Sequence, residues 1–153
     1  MKNFMPDKNR LKMFCMSQLE QRIDRAKLLL REAQESANSE EKSSAGDKYE
    51  TGRAMGHLQK EMLSGQLAAC IADKKLLEQV DCKASYAQVS PGALVVTDRD
   101  IFFLAAGIGR QEMEGEIILV ISPLAPLAKG MMGKRPGECF AFNGQTQIIR
   151  QIS

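Results

Sequence analysis

Tryptophan is absent from this chain of 153 residues, which holds two tyrosines, six phenylalanines and one histidine, and long apolar runs are missing too. The longest strongly apolar stretches, Ile117 to Ile121 and Ala93 to Val96, fall far short of the roughly 20 residues that cross a bilayer. The polar start MKNFMPDKNR offers no signal-type apolar segment either. A cytoplasmic protein without membrane contact is expected. Cys15, Cys70, Cys82 and Cys139 are scattered with no CxxC pair, and His57 has no second ligand candidate nearby. That argues against a stable metal site and against a Cys/His nucleophile, and favours reduced, partly buried thiols. A formal net charge of only +2 leaves little for phosphate neutralisation. Direct sequence-specific nucleic-acid binding is therefore not expected, and a protein partner is.

What is present changes along the chain. Glycine is sparse and charge dense before DCKASYAQVSPG, whereas glycine, proline and β-branched runs follow it, so a domain boundary falls there. Met16, Leu19, Ile23, Ala26, Leu30, Ala33 and Ala37 recur at alternating steps of three and four, as do Thr51, Met55, Leu58, Met62, Gly65, Ala69, Ala72 and Leu76. Each series predicts the seam of a coiled-coil helix. The break SANSEEKSSAGD between them predicts an antiparallel hairpin over residues 1–84, and Ser44 with Asp47 reads as a capping box opening the second helix. The second part, 85–153, reads as five short strands: Ala93 to Thr97, Ile101 to Leu104, Glu116 to Ile121, Glu138 to Phe142 and Gln147 to Ile152. One short helix is expected in PLAKGMMGKRPG. The fold class expected is α+β.

Overall neutrality hides a pattern. Residues 1–31 hold eight Lys or Arg against three acids, whereas residues 32–50 hold six acids against Lys42 and Lys48. Asp47, Glu50, Glu40 and Glu41 therefore form an acidic hairpin tip near residues 38–50. Such carboxylates complement a helix N-terminus, or offer ligands to a metal ion held by a partner, since Mg²⁺ takes one or two carboxylates plus water and substrate oxygens.

The run Pro126-Leu-Ala-Lys-Gly-Met-Met-Gly-Lys-Arg-Pro-Gly-Glu138 resembles the C-terminal signature of the GreA/GreB transcription factors, with Ala125 in place of the usual serine. The agreement covers Leu127, Ala128, Lys129, Gly130, Gly133, Lys134, Gly137 and Glu138; the order of a helical hairpin before a small globular domain agrees as well. The resemblance implies an FKBP-like antiparallel β domain over residues 85–153 that docks on RNA polymerase core, and a coiled coil that enters the secondary channel. Lys129, Lys134 and Arg135 become partner-binding candidates. The family's tip acids help hold a catalytic Mg²⁺ of the polymerase, so the implied role is regulation of transcription elongation without catalytic residues or a cofactor of its own, apart from that transient Mg²⁺. Placing Tyr49 on the family's tyrosine puts Lys42 and Ala45 where the family has its two acids. Stimulated cleavage of backtracked RNA through Asp47, Glu50, Glu40 and Glu41, and plain occupation of the channel, both stay open. The alternative is an FKBP-type prolyl isomerase or chaperone with a helical handle, which needs an aromatic-lined pocket.

Overall fold

The computed structural model describes residues 5–43 and 47–153, and the side chains of 5–39 and 51–153. Two long helices, α1 (Lys8–Ser43) and α2 (Asp47–Glu78), precede six strands and a short helix: β1 (Leu94–Thr97), β2 (Ile101–Leu104), β3 (Gly109–Met113), β4 (Glu116–Ile121), α3 (Pro126–Met131), β5 (Cys139–Phe142) and β6 (Gln145–Ile152). The hairpin and the α+β class match the sequence reading. The chain divides into two compact units, Met1–Gln18 with Asp73–Ser153, and Leu19–Ala72.

Neither glycine nor proline interrupts α1, which lets it run for about ten turns. Asp7 caps it, accepting the Asn9 N–H on Oδ1 at 2.9 Å and the Leu11 N–H on its carbonyl at 2.9 Å, a side-chain partner for an otherwise orphaned donor. In the unit of residues 19–72, Leu19, Ile23, Ala26 and Ala33 are buried and Leu30 and Ala37 half-buried, the stripe that α1's periodicity predicts. On α2 the stripe differs from the one expected. Met55, Leu58 and Met62 are 66%, 65% and 59% exposed, whereas Leu63 is buried and Gly52, Gly56, Lys60, Leu67 and Cys70 are half-buried. The true seam sits one or two residues further along. Apolar residues occupy two adjoining faces of α2, and the inward one carries Leu63, Leu67 and Cys70. Lys60 Nζ donates to Gln34 Oε1 between the two helices.

In the other unit, lysines of α1 finish α2. Lys12 Nζ donates to the carbonyls of Glu78, the last residue of α2, at 3.3 Å and of Val80 just beyond it at 2.8 Å, placing a cation at the helix C-terminus, where the dipole favours it. Lys8 Nζ donates to Ala84 O at 3.3 Å and lies 4.9 Å from the Tyr86 ring centroid, a cation–π arrangement.

The strands form one sheet in the order β3-β4-β2-β1-β6-β5. Its pairs are antiparallel except β2 with β4, which run parallel with Phe103 opposite Val120. The parallel pair arises because the chain leaves β2 for the sheet edge as β3 and returns through a tight hairpin as β4. β3 was not expected from sequence. Its GRQEM lacks β-branched residues and is largely exposed, as an edge strand can be. One sheet face packs on α3 through Val95, Phe102, Leu104, Phe140 and Ile149 with Ala128 and Met131. Leu94, Phe103, Ile118 and Val120, alternating with these, are also fully buried.

Candidate functional site

The signature run is built around α3. Pro126 occupies the first helical turn, where its missing N–H costs nothing, and Ala128 and Met131 anchor the helix in the sheet core. Beyond it the chain is held by backbone pairing. Val89 N–H donates to Lys134 O and Gly133 N–H to Val89 O, both at 2.8 Å, while Gly137 N–H donates to Ile149 O at 2.8 Å. Gly133 and Gly137 adopt φ of 81° and 93°, a region that side-chain-bearing residues rarely enter. Gly130, within α3, has ordinary helical backbone.

This scaffold leaves the candidate cations facing outward. Lys129 in α3 and Arg135 in the following turn are exposed, and Lys134 between them is half-buried. Among the described residues none of the three forms an ion pair. They are brought onto one rigid segment with their charge unspent, an arrangement suited to an acidic partner surface. Glu40 and Glu41 fall in the last turns of α1, and Asp47 and Glu50 in the first turn of α2. Their side chains, and the capping box from Ser44, lie outside the described residues.

The remaining chemistry-bearing residues are dispersed. Phe102 meets Phe140 and Phe142 edge to face at 5.8 Å, and Phe103 is fully buried, so these rings fill the core. His57 is exposed on α2, 3.9 Å from Glu61. Burial pushes the Cys15 thiol up to about 12, which leaves it inert as a nucleophile. Burial also holds the Lys8 ammonium below its ordinary value, with Cys82 and Asp81 opposing the shift. No helix among the described residues is long and apolar enough to cross a membrane. A groove that no sequence motif announces lies at one end of the sheet, where Arg99, Arg110 and Phe142 converge. One of the turns beside it is marked in the sequence, by the Asn143-Gly144 pair, which suits a two-residue hairpin turn.

The chain matches no protein-family model and no curated protein. Among solved structures it is similar to that of the transcription factor Gfh1, at 16% identity over 88% of this chain and 89% of that one, with a TM-score of 0.36.

Proposed function

We propose that this protein is a transcription factor of the Gre type that binds RNA polymerase core, its residues 85–153 docking on the enzyme and its hairpin entering the secondary channel. The observation that carries the reading is the run Pro126 to Glu138, whose match to the Gre signature falls on a segment with an anchored helix, left-handed Gly133 and Gly137, and outward Lys129, Lys134 and Arg135. The acids Asp47, Glu50, Glu40 and Glu41 then act at the polymerase metal site, and the protein supplies no catalytic residue of its own. Carboxylates suit that task because Mg²⁺ is a hard cation that prefers charged oxygen ligands.

The test uses the full chain and a variant carrying Asp47→Asn, Glu50→Gln, Glu40→Gln and Glu41→Gln. In a pull-down at about 0.15 M salt, where surface charge is screened beyond roughly 8 Å, both proteins should retain polymerase core. Only the wild type should alter transcription. Failure of the wild type to retain polymerase would overturn the reading as a whole. A variant that binds and keeps full transcriptional activity would assign the effect to channel occupation instead of metal chemistry.

A further inference from the structure

Helix α2 carries more apolar surface than the hairpin uses. On its inward face Leu63 is buried and Leu67 and Cys70 are half-buried. Met55, Leu58 and Met62 are strongly exposed, and Gly65, Ala69 and Ala72 continue their line, exposed as well. These six follow one another at strict alternating steps of three and four, the repeat that keeps a stripe facing another helix. At roughly 100° per residue, the stripe is centred about 140° round α2 from the inward face. α1 therefore cannot cover both. The whole stripe lies within the unit of residues 19–72.

Side-chain size is graded along this stripe. Met55, Leu58 and Met62 fill its N-terminal half, and Gly65, Ala69 and Ala72 its C-terminal half. A second copy turned end for end sets Met62 against Gly65, Leu58 against Ala69 and Met55 against Ala72, so that each layer pairs a large side chain with a hollow. The two-fold axis between Met62 and Gly65 repeats every pairing, as an interface of a surface with itself requires. A parallel copy would set Met62 on Met62 and Gly65 on Gly65, crowding one end and leaving voids at the other, which close packing disfavours. The flanks agree with the antiparallel register. Gln59 comes beside Gln66 of the second copy and Glu61 beside Ala68, so no like charges meet.

We propose that the exposed stripe of α2 is a self-association surface, occupied by the same stripe of a second copy running antiparallel. The argument for this occupant is shape: the surface that fits a large-to-small gradient is that gradient reversed, and the second copy supplies it. A lipid surface fits less well, because an interfacial helix needs large apolar groups along its length and cations beside them, whereas half of this stripe is glycine and alanine and its one charged flank is Glu61. The proposal is independent of the polymerase reading, since it concerns the protein alone.

The test is sedimentation equilibrium of the full chain over a concentration series. Apparent mass should rise from 16.9 kDa towards twice that value. Met62→Glu and Gly65→Lys, both at exposed positions, should keep the helix content seen by circular dichroism and each weaken association at least about tenfold, by burying an unpaired charge. An equimolar mixture of M62E and G65K should associate again, because the antiparallel register sets the new carboxylate against the new ammonium in one central layer and leaves the other as in wild type. Ser64→Glu, exposed but off the stripe, should leave association unchanged. A wild type that stays monomeric up to about 1 mM, equivalent to less than about 4 kcal/mol of association, would overturn the proposal. So would undiminished association of M62E and G65K alone, or failure of their mixture to pair.

Discussion

Three glycines of the signature run separate backbone need from helix propensity. A Cβ added at Gly130, Gly133 or Gly137 meets no atom within 4 Å, so packing drops out of the comparison and only backbone preference remains. At Gly133 and Gly137, with φ of 81° and 93°, alanine costs about 1–2 kcal/mol. Rotating φ away is no escape, because the N–H of each donates a 2.8 Å bond, to Val89 O and Ile149 O. At Gly130, inside α3, alanine instead gains about 0.5–1 kcal/mol by restricting the unfolded chain. Gly130→Ala and Gly133→Ala should therefore differ by roughly 1.5–3 kcal/mol in opposite directions from wild type. Urea unfolding followed by far-ultraviolet circular dichroism measures this, provided the slope with denaturant stays constant. Equal loss of stability in the two variants would refute the reasoning, since it would mean that all three glycines serve one backbone requirement.

Leu63→Ala, at a position 5% exposed, should cost about 2–3 kcal/mol in the same assay, and Met62→Ala, 59% exposed, under about 0.5 kcal/mol; the reverse order would return α2 to the seam expected from sequence. Cys15, with its thiol near 12, is thiolate in only about one molecule in ten thousand at pH 8, so maleimide should label exposed Cys139 first and Cys15 only on unfolding. Prompt labelling of Cys15 in the folded protein would contradict its burial. Because burial lowers the Lys8 value below 10.5, the unfolded chain binds the extra proton in the window between the folded value and 10.5, and stability rises with pH through that window. Wild type should therefore gain stability relative to Lys8→Met as pH approaches 10.5, and a falling difference would show that the ammonium is favoured in the folded state.

The sequence by itself determined what depends on neighbours a few residues apart. The three-and-four spacing from Leu19 to Ala33 places the buried stripe of α1, and Pro126 with Leu127 and Met131 places α3 between the expected strands, because helix geometry converts short-range spacing directly into a face. The outward cations Lys129 and Arg135 were legible in the same way, as residues of one short segment. Tertiary structure alone decided the rest. α2 carries two adjoining apolar stripes, and only the surface of α1 opposite it selects Leu63 over Met62. β3 exists because β4 supplies its hydrogen bonds from Gly109 to Met113, which no propensity within GRQEM would reveal. Arg99, Arg110 and Phe142 line one groove although they stand far apart in sequence. They meet because strand order β3-β4-β2-β1-β6-β5 is set by long-range pairing, whose cost in chain entropy is recovered only when the whole sheet forms.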